Sequence, residues 1–361
     1  MTTGASGTTT PQTRATHTDL HSHRATLVLG GLSVTLVMVA LLAIAVGEEP
    51  IPPTAIVGMA LQWLPIHPAR TWSDVDLTIV TMVRLPRILT AIMVGGALAV
   101  AGTAFQALFR NPLADPGIVG TAAGASMGAI IALLVPVQIA WLGFSFVSLA
   151  AFTGAVGTMV VVYALARVGG RLPSTTLLLA GFAVSATLSA AGAILETVSD
   201  RLHEMLVWLL GSLAQTTGPQ LLVAAPLLTL GVCGLLILAR DLNVLALGDE
   251  QAQYLGLNVA QRRLLILVLG SLLTSVAVAL AGLIAFVGLL VPHITRLLFG
   301  PNHQLLVPAA LLMGAIFLML VDIVARLLLA PQELPVGLVT ALLGGPWFIV
   351  LLRRKKEAYA F

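Results

Sequence analysis

Residues 84–128 read RLPRILTAIMVGGALAVAGTAFQALFRNPLADPGIVGTAAGASMG. Two arginines flank a proline, and the run from Ile88 to Phe109 then carries no charge. A soluble core helix rarely stays apolar for so long, whereas a bilayer requires about 20 such residues. Arg110-Asn111-Pro112 breaks the run, and a second apolar segment follows through Gly120, Gly124 and Gly128. The break reads as a turn between two membrane spans. The three glycines, four apart, fall on one face of the second span, where small residues let helices approach closely.

The rest of the chain agrees. Of 361 residues, 58% are hydrophobic and 9% charged, against about 25% charged in soluble domains. So little charge cannot cover a water-facing surface. The apolar runs are continuous rather than alternating, which argues against a β-barrel and for helices that satisfy their own backbone groups. The expected fold is all-α, a polytopic membrane helical bundle of about ten transmembrane helices. The spans fall near 27–46, 87–108, 118–136, 146–167, 176–197, 220–239, 263–281, 284–299, 308–328 and 335–352. Gly282 separates the seventh from the eighth poorly, so nine is the alternative count. Residues 1–26, rich in Thr, Ser and His, read as a disordered cytoplasmic tail, and 27–361 as the transmembrane domain. Ala43-Ile44-Ala45 faintly suggests a signal-peptidase site, but the apolar run before it is too long for a signal peptide.

With the amino terminus inside, only Arg70, Arg84, Arg87, Arg201 and Arg326 of the 18 Lys and Arg residues fall outside. Cytoplasmic loops carry the basic excess, so both termini are expected in the cytoplasm. Three loops are long enough to serve a function of their own. Two lie outside, 47–86 and 198–219, the latter with a short helix, and 240–262 lies inside. The single cysteine, Cys233, supports neither a disulfide nor a zinc site. His17, His21 and His23 lie in the tail without fixed geometry. No metal, cofactor or catalytic residue is expected, and no nucleic-acid partner.

Five motifs occur in order: Arg84-Leu-Pro-Arg87, QALFRNPLADPG at 106–117, GLLVPHITR at 288–296, DIVAR at 322–326 and ELPVG at 333–337. Together they resemble the permeases of the FecCD type, membrane subunits of ABC importers for iron chelates and cobalamin. The resemblance runs from the first span to the carboxyl end. It implies a permease domain over 27–361 that pairs with a second permease chain, here a homodimer, in the cytoplasmic (inner) membrane. It also implies two cytoplasmic ABC ATPase subunits and a periplasmic or lipid-anchored substrate-binding protein. The implied cargo is an iron chelate, haem or a ferric siderophore, with cobalamin as the alternative. By resemblance, Arg84, Arg87 and Arg326 receive glutamates of the binding protein. Gly248, Asp249, Glu250, Tyr254 and Gly256 belong to the loop that docks on the ATPase. Ser174 and Thr175 form the cytoplasmic gate, with the fifth span lining the pathway.

The same residues have plainer readings. Arginines at span ends snorkel to the interface. Asp322 and Arg326, four apart on one helix face, suit an internal ion pair. Asp249 and Glu250 suit the start of a short helix, and Gly256 its stop before a second short helix. The hydroxyls of Ser174 and Thr175 can cap the helix that follows. Lys355 and Lys356 are the only lysines and stand outside any G-x-x-x-x-G-K-[ST] loop, so ATP cannot be held here by that device. An ion-driven secondary transporter would need acids or a sodium cage near the midplane, and Asp322 is the only candidate. A membrane enzyme would need clustered acids or histidines.

Overall fold

The computed structural model describes residues 13–47, 49–62, 70–135, 137, 140–141, 143–170 and 172–358, with side chains between 23 and 350 except at 60. Helix α1 (Thr13–Ala45) is followed by α2 (Pro53–Leu61), α3 (Asp74–Thr78) and α4 (Leu85–Leu108). A π-helical stretch, Ile79–Arg84, fuses α3 to α4. A 3-10 turn, Pro116–Val119, leads into α5 (Thr121–Leu134). A small hairpin, β1 (Ala140–Trp141) antiparallel to β2 (Phe144–Ser145), pairs Ala140 with Ser145 before α6 (Phe146–Ala166). Then come α7 (Ser174–Thr197), α8 (Leu202–Leu209), α9 (Gly218–Ile237), α10 (Ala239–Ala246) and α11 (Asp249–Tyr254). The chain ends through α12 (Val259–Ala281), α13 (Val287–Phe299), α14 (His303–Leu327) and α15 (Val336–Ala358).

Seven helical segments are long and apolar enough to cross a membrane, and α5, α13 and Val336–Val350 of α15 are shorter apolar helices. Each expected span contains one of these. The seventh and eighth are separate: α12 stops at Ala281, and Gly282 takes φ 69°. Helix α1 begins at Thr13, so residues 13–26, read as disordered tail, continue the first helix; residues 1–12 lie outside the described residues. The 47–86 loop holds α2 and α3, the latter closed by a Ser73–Asp76 capping box. Trp63 and His67 lie outside the described residues.

Helices α4, α12 and α14 form the buried centre, with α4 packed on both of the others and on α13. Helices α1 and α7 are mostly exposed in the single chain. The glycine face expected on the third span is present at Gly124 and Gly128, which pack against Gly154 and Ala150 of α6. Gly120 instead precedes the helix at φ 87°, a left-handed conformation that suits glycine.

Two of the short helices are half-spans. After Arg110-Asn111-Pro112 the chain does not stay at the membrane edge. It runs back into the bundle, so that Pro116 meets Gly288, itself packed on Leu98 midway along α4. Ile118 lies against Gly181, and Gly120 against Thr158 and Ser185, in the middle stretches of α7 and α6. The expected edge turn over 110–117 is thus corrected: its second half is re-entrant. From the other side, residues 282–286 are non-helical, Phe286 sits at φ 67°, and α13 begins there. A Cβ on Gly102 of α4 would overlap the backbone of Gly288. Only glycine allows that approach, and only enclosure by protein allows non-helical backbone at this depth.

Gly102→Val should therefore lower the unfolding midpoint of the purified chain, by overpacking of about 1–3 kcal/mol. Gly30→Val, where a Cβ meets nothing within 4 Å, should leave the midpoint unchanged in the same thermal-unfolding measurement.

Candidate functional site

Three helix ends meet around one carboxylate. Arg87, near the start of α4, donates from Nε to Asp322 Oδ1 at 2.8 Å. Its Nη1 donates to both oxygens of Glu333, at 2.8 and 2.7 Å. Arg326, one turn after Asp322 on α14, places Nε 3.1 Å from Asp322 Oδ2. The remaining nitrogens of Arg326 turn to the end of α1, where Nη1 donates to the Val46 carbonyl at 3.0 Å and Nη2 to that of Ala43 at 3.3 Å. Arg84 reaches the same end and donates to the carbonyls of Ile44 and Glu49. The last carbonyls of a helix lack intrahelical partners and carry the negative end of its dipole. Two guanidinium groups satisfy those of α1.

Asp322 is 2% exposed and the three arginines 6–8%. Arg84, Arg87 and Arg326, expected to receive a binding protein, are thus enclosed in the single chain. These side chains are buried because α1, α14 and the Glu333 segment close over them, and internal acceptors engage them. The expected Asp322–Arg326 pair is one arm of this larger cluster. Glu333, whose side chain is 43% exposed, is its solvent-facing member. Its motif was visible in the sequence, but no pattern linked it to Arg87 across 246 positions.

The loop at the opposite face consists of α10 and α11. Asp249, at the start of α11, accepts from Arg263 Nη2 at 2.9 Å and lies 3.5 Å from Arg110 Nη2. Arg263 Nη1 also donates to the Leu172 carbonyl at 2.6 Å. One carboxylate thereby ties the loop to α12, to the break after α4 and to the connection before α7. Gly248 caps α11 at φ 120°. Gly256, at φ 82°, closes it: Leu257 N donates to Ala252 O at 3.0 Å and Gly256 N to Gln253 O at 2.9 Å. That pair of hydrogen bonds is a Schellman stop. The expected second short helix after Gly256 is absent among the described residues: the long α12 begins at Val259, and the loop's other short helix, α10, precedes α11. Glu250, Leu247 and Leu255 are exposed, and Tyr254 is 90% exposed.

Ser174 is the first residue of α7, and Pro173 is its N-cap, with no side-chain cap hydrogen bond. The capping reading of Ser174 and Thr175 is corrected by this geometry. Ser174 Oγ lies 3.5 Å from the Leu108 carbonyl at the end of α4, and Thr175 is exposed. Beyond them α7 buries Leu177, Gly181 and Gly192. Its exposed residues include the large Leu179, Phe182 and Ile194 as well as Ala183, Ala186, Thr187 and Ala190.

Asp115 escaped the sequence reading, which placed it in an edge turn. It lies on the re-entrant segment, accepts from Gly117 N at 2.8 Å, and lines a cavity of about 160 Å³ with Thr274 and Gly288. His293 is buried edge-on against Trp347, with ring centroids 5.6 Å apart. Among the described residues, no three His, Cys, Asp or Glu side chains are grouped to hold a metal.

A helical membrane bundle with two spans broken at mid-depth and a built loop on one face is the architecture of a transporter subunit. Residues 34–354 match the FecCD transport family, and the chain belongs to it. The hemin transport system permease protein HmuU of Yersinia pestis is 45% identical over 280 residues, covering 76% of this chain and 83% of that protein. The vitamin B12 import system permease protein BtuC of Klebsiella pneumoniae is 37% identical over 340 residues, covering 93% of this chain and 96% of its own length. The inward-facing structure of a transporter described as metal-chelate type superposes with a TM-score of 0.77 at 33% identity, covering 90% of this chain and 98% of that one. The chain is a multi-pass membrane protein and a permease of the ABC transporter class.

Asp322→Ala would strand Arg87 and Arg326 in the interior, and breaking a buried pair this way costs about 3–5 kcal/mol. Thermal unfolding should show a large loss for Asp322→Ala and a much smaller one for Glu333→Gln, since Glu333 is half-solvated.

Proposed function

We propose that two copies of this chain form the membrane pathway of an importer that carries an iron chelate, haem or a ferric siderophore, across the cytoplasmic membrane. Two ABC ATPase subunits supply the power from the cytoplasm, and a substrate-binding protein delivers the cargo from outside. The chain itself performs no bond chemistry. The carrying observation is the α10–α11 loop: Tyr254 stands 90% exposed on a two-helix element pinned through Asp249. A rigid loop presenting an aromatic and two leucines to water is built to be covered. In this reading it seats in the ATPase, and both termini lie on the same cytoplasmic side. ATP-driven closure of the cassettes moves the loops, and the two gates open in turn.

The exposed face of α7 lines the pathway against its counterpart in the second copy, with Ser174 and Thr175 at the inner gate. In this reading Arg84, Arg87 and Arg326 mark the outer end, where the binding protein docks. The similarity to HmuU supports haem or another iron chelate; the longer alignment with BtuC keeps cobalamin as the second reading.

Vesicles holding the chain with its ATPase and binding protein should take up the chelate only with ATP. Tyr254→Ala and Gly256→Val should insert normally yet lose at least about tenfold of that uptake, the loss of about 1.4 kcal/mol of coupling. Wild-type uptake by both variants would remove the docking role, and uphill uptake without any ATPase would remove the permease reading. On a Cys233→Ser background, Ala186→Cys should be joined into a dimer by a bifunctional thiol reagent long enough to span the pathway; a chain that stays monomeric would contradict the paired α7 lining.

A further inference from the structure

Beside the α10–α11 loop, where α4 and α13 end and α14 begins, lies an open cavity of about 540 Å³. Arg110, Arg296, Asn243, Asn302 and His303 line it, and no Asp or Glu does. Arg110 leans on Asp249. Arg296, on the last turn of α13, has no carboxylate partner among the described residues. Its Nη1 donates to Gln106 Oε1 at 2.9 Å, and the buried Gln106 is itself oriented by Nε2 donating to the Leu289 carbonyl at 3.1 Å. The guanidinium is thus held in place without being neutralised.

His303 shapes the same wall. Its backbone N–H donates to Asn243 Oδ1 at 2.9 Å, and that of Gln304 donates to Asn302 Oδ1 at 3.1 Å. A backbone N–H can only donate, so both amide oxygens are fixed. Asn243 Nδ2 then donates to Asn302 Oδ1 at 2.9 Å. His303 Nδ1, 2.7 Å from Asn243 Oδ1, must carry a hydrogen, which leaves Nε2 of the neutral ring as a lone-pair acceptor. His303 is 4% exposed and its Nε2 is enclosed by protein, so the ring fixes the two asparagines in the cavity wall and adds no acid to it.

We infer that this cavity binds a phosphate group, its anionic oxygens on Arg296 and Arg110. Two guanidinium groups in a wall without an acid select an anion with several oxygens. A choline headgroup brings no net charge. Two sources share the required chemistry: free hydrogenphosphate and the headgroup of an anionic lipid. The cavity exceeds one phosphate in size, and Leu297 and Leu298 next to Arg296 are exposed, which gives acyl chains a surface to follow. Placing the site toward the cytoplasm rests on the orientation proposed above; its chemistry does not.

The test is thermal unfolding of the full chain in detergent, in sodium phosphate against sodium chloride at matched ionic strength, and with phosphatidylglycerol against phosphatidylcholine. The midpoint should rise with phosphate, with phosphatidylglycerol or with both, and not with either control. A rise with the lipid alone assigns the headgroup, and a rise with phosphate alone assigns the free ion. Arg296→Gln should raise the half-saturating concentration about tenfold or more, the loss of one charge-assisted hydrogen bond. If that variant does not fold, Arg110→Gln, at a side chain 43% exposed, should shift it in the same direction. No stabilisation from either source, or undiminished stabilisation in every variant that folds, overturns the site. ATP-driven uptake is read separately, so this inference and the permease reading can fail independently.

Discussion

Backbone inside a bilayer must find its hydrogen-bond partners within the protein, and the whole bundle is arranged around two places where helices break that rule locally. The chain leaves the α-helix in the middle of the fold at the segment before α5, which includes a 3-10 turn, and at the segment before α13. They are tolerated because α4 and α12 enclose them, and because Gly102 and Gly288 let α4 and α13 come together backbone to backbone. Asp115 belongs to the same device: its carboxylate accepts the Gly117 N–H that the unwound chain leaves free. Remove the glycine contact and the half-spans lose their shelter, so the architecture depends on it more than on any single apolar side chain.

Charge is used sparingly and mostly for fastening. Among the described residues, the buried acid Asp322 joins α4 to α14, and through Arg326 it reaches the end of α1. Asp249 has the matching role on the other face, joining the α10–α11 loop to α12 and to the break after α4. In each case one carboxylate serves two guanidinium groups. Arg296 departs from this pattern, since an amide rather than an acid holds it.

Most of the fold was legible because continuous apolar length is a strong signal: each expected span holds a helix, including the pair divided at Gly282. The Gly256 stop and the α11 start were legible from single residues with definite backbone preferences. The re-entrant course of 113–120 was not, since Asn, Pro, Asp and Gly mark an edge turn and an interior break alike. Nor was the burial of Arg84, Arg87 and Arg326. Their sequence positions fix their height along the helices but not which neighbours close over them; Glu333 and the carbonyls of Ala43 and Val46 come from distant parts of the chain. Helix α1 extends past its apolar run because helical backbone can continue into a polar segment that composition alone assigns to a coil.

Helices α5 and α13 start at a shared point and run to opposite faces, one toward the β1–β2 hairpin and the other toward the α10–α11 loop. Pro116 and Gly288 are their common fulcrum. The segment leading into α5 therefore bears directly on the first turn of α13, and the two faces of the bundle are in mechanical contact through one shared point.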